Sequence, residues 1–498
     1  MIVRADDAVA TKVTGDLSTS RLVTDYVILE PSASGQALDL GASGAFYANK
    51  DGMIYRGDVD YAIRGGSMGG ANTYNGALKF TCAGNGTVTY DGKLDRYGFS
   101  KCGPGTFRFT GTSNLSQSLN LYEGTFEVAS ANGFSDASKG SYQVYLNGGT
   151  LKTSVDVSLV RPMSIGDNGG TIEVAAGTTF VQTGKVVNTA DNTAGPVVKK
   201  GEGTWIPSGD FQATGKVRIE AGTVRLGAAN GLGDSSARTR AIAPTELVGG
   251  TIDVGGFNAK LGNFYLKGGT IEDSSEEKTG SLAAYTHFVE AGTVNAPLAN
   301  GAHQNGGCYF NSTNLKKIGP GTVTLNAANT FEGTAYVEDG TLDLVGSLAS
   351  GACVEGGVLT GSGDIDGYVY VTADGALEPK AGAGMRLGDH LAIGNGGTLR
   401  IAAGATGVSK VELTAGNVYL GEGARLDFDL RKGGIAKLND SVIVELPEGA
   451  EVVGAFSNFA DGKYKDAAGN KYTIDYTAGD GNDIGLTAVA AGLTVLVR

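Results

Sequence analysis

The chain has few of the residues that commonly build catalytic sites or covalent staples. Its 498 residues include three histidines, four cysteines, one tryptophan and ten prolines. Cys82, Cys102, Cys308 and Cys353 form no C-x-x-C pair, and His303 alone lies near one of them, so zinc-ligand spacing is missing. Cys82 and Cys102 stand one repeat apart, which leaves open either a disulfide between neighbouring turns or unpaired small side chains. His287, His303 and His390 are scattered and no G-x-S-x-G elbow occurs, which argues against a nucleophile–base triad. No run of eighteen apolar residues occurs, so no helix is expected to span a membrane. The opening MIVRADDAVATKV lacks the apolar stretch of a secretory leader, and a trimmed leader is the expectation. A net charge of -13 with no basic stripe excludes the usual electrostatics of nucleic-acid binding.

Glycine, by contrast, is abundant, at 82 residues, while apolar residues remain plentiful at 41%. With so little proline this composition is not collagen-like, and the glycines read as turn punctuation. Three stretches repeat one pattern: Lys101 to Thr106 (KCGPGT), Lys200 to Thr204 (KGEGT) and Lys317 to Thr322 (KIGPGT). Each is followed by a second Gly-Thr step, and Gly105 to Gly124, Gly203 to Gly222 and Gly321 to Gly340 all span the same 19 residues. A fixed interval of this size is the mark of a solenoid.

Alignment on the second glycine gives the interval a structural meaning. Phe126 and Val128, Val224 and Leu226, and Leu342 and Leu344 follow it at strand spacing; Leu121 and Leu119, Ile219 and Val217, and Val337 and Ala335 precede it likewise. These positions predict strand, glycine turn, strand, with the apolar side chains inward and Glu127, Arg225 and Asp343 facing the other way. After the first glycine, Phe107 and Phe109 and then Val323 and Leu325 follow the same rule. The second copy has Trp205 and Pro207 there, so its strand is expected to end early or bend. GGTL and GGTI echoes at 148–151, 169–172, 249–252, 268–271 and 396–399 carry the turns along most of the chain, and no helical stripe competes with them. Successive strands return to the same side after one coil and are expected to be parallel. Loops are expected at 273–279, 300–307 and 461–470.

Candidate chemistry is sparse. Asp364 and Asp366, and Asp427 and Asp429, are acid pairs at strand spacing, as in β-helix enzymes that act on polysaccharides, but no basic cluster accompanies them. Ile365 is expected to pack inward, leaving Asp364 and Asp366 on a solvated face. Gly479 to Asp483 (GDGND) has a trace of calcium-binding repeats but occurs once, so turn chemistry is the better account. Arg56-Gly57-Asp58 spells a tripeptide that some receptors read, and is read here as a turn. No catalytic, cofactor-binding or metal-binding residue is assigned, and no cofactor is expected.

The stretch from Lys317 to Leu359, KIGPGTVTLNAANTFEGTAYVEDGTLDLVGSLASGACVEGGVL, resembles the autotransporter-associated β-strand repeat, which reads roughly K-x-G-x-G-T-L-x-L, N-T-Y-x-G and x-x-G-T-L. The resemblance continues through Gly361 to Pro379. It is weaker in the other copies, where NLSQS (114–118) and DFQAT (210–214) replace the N-T-[FY]-x-G element. Val453 to Thr487 is similar to segments that close such arrays. The resemblance implies an all-β, right-handed parallel β-helix of the kind found in autotransporter passengers, displayed at or beyond a bacterial surface. Family members of the full pattern end in a membrane β-barrel, whereas this sequence stops at Arg498.

The expected organisation is an N-terminal cap and first rungs at 1–100, a parallel β-helix with three repeat copies at 101–434, and C-terminal rungs and cap at 435–498. The expected function is that of a noncatalytic secreted or surface protein, an adhesin or structural spacer, acting as a monomer on surface glycans or proteins. The alternative is a polysaccharide-active β-helix enzyme or a glycan-binding protein. An exposed cleft holding three or more acidic and basic side chains, with aromatic platforms for sugar stacking, would favour that alternative.

Overall fold

A computed structural model describes residues 2–5, 11–12, 22–31, 33–70, 77–134, 143–189, 195–233, 243–301, 303–305, 308–310, 313–372, 374–404, 407–429, 440–465 and 471–489. The chain divides into two compact units, Met1–Gly262 with Ser274–Thr279 and Asn263–Asp273 with Gly280–Arg498. Each is a parallel β-helix built from short strands. The strands are short because a glycine corner interrupts them every few residues, and they are parallel because every circuit brings the chain back in the same direction.

In the first unit one stack of strands runs from Leu78–Cys82 through Phe99–Cys102 and Leu119–Leu121 to Val186–Asn188. A second runs from Tyr61–Arg64 through Thr106–Phe109 and Thr125–Val128 to Thr245–Leu247. A third runs from Val157–Leu159 through Thr204–Pro207 to Thr251–Asp253. Threonines follow the corner glycines in register, with Thr87, Thr106, Thr125, Thr150 and Thr171 in one column.

The second unit repeats the construction. One stack runs from Phe264–Leu266 to Val452–Gly454 and another from Thr270–Glu272 to Arg425–Asp429. A third begins at Ala328–Asn329 and reaches Ser441–Glu445. There the pairing changes sense: Ser441–Glu445 takes Asp483–Val489 antiparallel, and Lys471–Ala478 and Lys463–Lys465 continue antiparallel beyond it.

Register gives the 19-residue interval its meaning, since Thr106 lies opposite Thr125, Thr204 opposite Thr223 and Thr322 opposite Thr341. It is one circuit of the coil. All twelve inward positions inferred from the sequence are buried, as are Phe107, Phe109, Val323 and Leu325. In the first unit Phe80, Phe99 and Phe126 pack around Phe107 at centroid distances of 4.7, 4.8 and 5.6 Å. Burying each such ring stabilises the coil by roughly 1.5–3 kcal/mol before entropy is counted.

One expectation needs correction and two are made specific. The Trp205 strand does not end early: Thr204–Pro207 pairs over its full length with Thr179–Gln182. It loses partners only on the other side, where pairing stops at Trp205 opposite Val224, and the Pro207 carbonyl accepts from Gly227 N instead. Glu127 faces outward as expected yet is buried, with the Arg108 guanidinium of the adjoining rung 3.4 Å from its carboxylate. Cys82 and Cys102 are both free thiols. Cys102 pairs with Thr81 rather than Cys82, so strand alternation sends the two sulfurs to opposite faces.

A further irregularity left no trace in the motif. In the first copy the corner at Gly103–Gly105 joins the first stack to the second; in the second copy the corner at Gly201–Gly203 joins the second to the third. Between them, Gly170–Val174 pairs both backward with Thr150–Thr153 and forward with Val197–Lys200. The longer circuits there let the repeat advance by one corner.

Candidate functional site

The repeated lysine does not reach solvent. Lys101, Lys199 and Lys317 are fully buried, each on the core face of its strand two residues after Phe99, Val197 or Leu315. The second member is therefore Lys199, not the Lys200 of the sequence alignment, because alternation turns Lys199 inward and Lys200 outward. Each stem lies in the core while its ammonium reaches the corner. Lys101 Nζ donates to the carbonyls of Cys102 (3.0 Å), Gly103 (2.6 Å) and Glu123 (3.1 Å). Lys199 Nζ donates to Lys200 (2.9 Å), Gly201 (2.7 Å) and Ala221 (3.1 Å). Lys317 Nζ donates to Ile318 (3.0 Å), Gly319 (2.6 Å) and Asp339 (2.9 Å).

Three N–H groups meet three carbonyls, two from the lysine's own corner and one from the next circuit. The same cage thus ties adjacent rungs in all three copies. Burial lowers the Lys199 pKa to about 8 and moves Lys101 and Lys317 in the same direction. The second glycine, at Gly124, Gly222 and Gly340, has φ of 63°, 68° and 65°. A Cβ there would strike the carbonyl oxygens of the corner glycines one circuit back, and at Gly340 would lie 2.7 Å from Lys317 Nζ. The motif's invariant letters make the frame, so any site must be sought on the outward side chains.

Those differ between the units. In the second stack of the first unit the outward column reads Arg108, Glu127, Lys152 and Glu173 on successive rungs. Arg108 pairs with Glu127 at 3.4 Å and Lys152 with Glu173 at 3.1 Å. Farther along, Arg218 reaches Glu220 at 2.8 Å and Glu246 at 2.6 Å, and Lys216 lies 3.7 Å from Glu246. This is a ladder of alternating charge that satisfies itself.

In the second unit the middle positions of the stack from Phe264–Leu266 onward read Tyr265, Phe288, Lys316, Tyr336, Cys353, Tyr370, Ala392, Tyr419 and Val453. Tyr265 and Phe288 stack at 4.9 Å with planes 8° apart. Beyond them an aromatic ring occupies every second rung. Tyr370 and Tyr419 are exposed. Tyr368 supports Tyr370 from 4.7 Å, His390 meets the Tyr419 ring edge-on at 5.5 Å, and Asn417 Nδ2 donates to the Tyr419 hydroxyl.

The sequence candidates are dispersed. Asp364 stands beside Arg386 and pairs with it at 3.7 Å, Ile365 is buried and Asp366 exposed, as expected for a solvated face. Asp427 lies opposite Arg400, and the Asp429 side chain is outside the described residues. His287 is fully buried, with Nε2 3.1 Å from Ala299 O, Nδ1 without a partner, and its pKa pushed down to about 4 by burial. His390 Nδ1 accepts from Asn417 N, while the side chains of His303 and Cys308 are outside the described residues. Asp483 of the GDGND turn accepts from Leu446 N, and Asn482 Nδ2 donates to Pro447 O and Ala450 O, so both serve the turn. Arg56 pairs with Glu30 at 3.3 Å and Asp58 accepts from Asn85 N. Of the loops, 273–279 is held by Asp253, which accepts from Ser274 N and Oγ; 300–307 and 461–470 lie partly outside the described residues. Among the described residues no three His, Cys, Asp or Glu side chains gather as a metal site, and no helix is long and apolar enough to cross a membrane.

A parallel β-helix with corners closed by K-x-G-x-G-T cages defines the class of protein. Residues 197–226 and 315–344 match the passenger-associated-transport-repeat family, and they are the second and third copies of the cage. Over 241 residues the chain is 28% identical to the adhesin BmaC autotransporter of Brucella suis biovar 1 (strain 1330), a match taking in 44% of this chain and 6% of that protein. The crystal structure of the Haemophilus influenzae Hap adhesin aligns over 93% of this chain and 64% of that one at 13% identity, with a TM-score of 0.23, too low for detailed comparison. The chain carries autotransporter passenger repeats and is similar to an autotransporter adhesin. The first copy, around Lys101, has the same cage although it lies outside the matched stretches.

Proposed function

We propose that this chain is a noncatalytic β-helix displayed at a bacterial surface or secreted from it, working as an adhesive surface and acting as a monomer. The observation that carries the reading is the pair of passenger-associated transport repeats, each coinciding with a lysine cage that stiffens the coil rather than forming a pocket. The relationship to a Brucella adhesin supports the adhesive role. The ends, to about residue 100 and from about residue 435, act as caps; the antiparallel strands after Ser441–Glu445 support this, since they change the pairing at the last parallel rung.

The test has two arms. Beads coated with the purified chain are scored for attachment to cells and immobilised glycans, and the soluble chain is incubated with polysaccharides while new reducing ends are measured. Attachment without product release is expected. Release of sugar products would overturn the noncatalytic reading.

A further inference from the structure

We propose that the aromatic column of the second unit is a binding track for one extended chain of a neutral, β-linked polysaccharide. This rests on the adhesive reading and names its ligand class. Tyr336, Tyr370 and Tyr419 occupy every second rung of one parallel stack, with Cys353 and Ala392 between them, and Lys316 Nζ lies 5.6 Å from the centroid of the Tyr336 ring. Parallel rungs repeat at about 4.8 Å, so successive aromatics recur at about 9.6 Å. That is close to the length of two pyranose rings joined end to end in an extended β-linked chain. In such a chain alternate sugars turn the same face in the same direction, which matches a platform on alternate rungs.

The small side chains of Cys353 and Ala392 matter to this arrangement. Where aromatics fall on adjacent rungs, as at Tyr265 and Phe288, the rings stack on each other and cover their faces. Beside Cys353 and Ala392 no ring on the adjacent rung does so. Tyr370 and Tyr419 are instead braced from the side by Tyr368 and His390. Rings held in this way lose little freedom when a ligand arrives.

The column is one residue wide. A stable protein partner needs roughly 800 Å² on each side, whereas a single polysaccharide chain needs only a narrow track with polar groups beside it. Glu338, paired with Lys316 at 3.1 Å, and Glu355 border the track, and Asn417 directly precedes the Tyr419 strand. They offer acceptors and donors for sugar hydroxyls. Their charge, together with the chain's net -13, favours a neutral polysaccharide over an acidic one.

The full chain is run by affinity electrophoresis through gels containing a soluble β-1,4-glucan, a β-1,4-mannan, a β-1,4-xylan or the acidic polygalacturonate, and titrated with oligosaccharides of increasing length. Retardation by at least one neutral β-linked polymer is expected, with affinity rising until the oligosaccharide spans Tyr336, Tyr370 and Tyr419. Tyr370→Ala should weaken binding roughly fivefold, and the triple variant Tyr336→Ala, Tyr370→Ala, Tyr419→Ala should abolish it. Circular dichroism shows whether the variants keep their β structure; Tyr→Phe at the same positions, which retains the rings, should bind nearly as well as the parent. No retardation by any neutral polymer, retention only by polygalacturonate, or undiminished binding by the folded triple variant would overturn the proposal. Bead attachment by a parent chain that binds none of the neutral polysaccharides would overturn this inference and leave the adhesive reading standing. Product release would overturn the noncatalytic reading and leave the track in place.

Discussion

The two units share a frame and differ in what they show to solvent. In the first, the outward column Arg108, Glu127, Lys152 and Glu173 alternates in charge and closes on itself through ion pairs. In the second, the middle positions of the stack from Phe264–Leu266 carry aromatics on alternate rungs from Phe288 onward, and Tyr370 and Tyr419 leave part of each ring uncovered. Beneath both lie the same elements, a buried lysine donating to three carbonyls and a left-handed glycine one circuit later. A coil of this kind separates two tasks. Inward and corner positions are fixed by packing, while outward middle positions are free to be charged or aromatic.

The largest effect should come from breaking what the units share. Lys101→Met in the first unit and Lys317→Met in the second each strand three carbonyls in a buried corner, and each should cost about 3–5 kcal/mol. Trp205 is the sole tryptophan and is buried in the first unit, so its fluorescence during urea unfolding reports that unit; hydrogen exchange resolved by peptide reports the second. Comparable losses are expected in the two. Gly124→Ala and Gly340→Ala should follow at about 3 kcal/mol, since each combines a left-handed backbone with a collision against carbonyl oxygens.

Acid should then separate the units. All three histidines belong to the second, and His287 is buried with a pKa near 4 against 6.5 for the free side chain. Between those values the unfolded chain binds the proton and the fold does not. The stability contributed by neutral His287 is therefore present above pH 6.5 and lost as pH falls toward 4. About 2 kcal/mol should go between pH 6.5 and 5. Hydrogen exchange should register this in the second unit, His287→Gln should remove it, and Trp205 fluorescence should report no such loss in the first.

Smaller effects test the faces. Arg218→Ala removes the closest partner of Glu246, whose side chain is only 5% exposed, and should cost about 1 kcal/mol, less at high salt. Tyr370→Ala should change stability by no more than about 0.5 kcal/mol, while weakening sugar binding. A large unfolding penalty from Tyr370→Ala, read by urea titration, would mean that the aromatic column is a structural element like the charged one.

Much of the frame was legible in the sequence because packing imposes period two on each strand and the glycine corners recur. Leu119, Val217 and Ala335 could be placed inward from spacing alone, and the structure buries all three. The lysine of the second copy was misaligned because two lysines adjoin there and only strand alternation distinguishes Lys199 from Lys200. The shift of the repeat by one corner between the first and second copies left the motif's wording unchanged. The aromatic column could not be read at all. Phe288, Tyr336, Tyr370 and Tyr419 come to lie two rungs apart through circuits of unequal length, so no fixed interval joins them in the sequence. Variable loops absorb the differences, and register restores a regular spacing that exists only in the folded chain.

The most direct test of this division of labour strips one face at a time. Arg108, Glu127 and Lys152 are replaced together by alanine in one variant, and Tyr336, Tyr370 and Tyr419 in another, and retardation by neutral β-linked polysaccharides is measured for both beside the parent chain. The account predicts that the first variant binds as the parent does and that the second, still β-structured, does not bind. Equal loss in both variants, or full binding by the second, would contradict it.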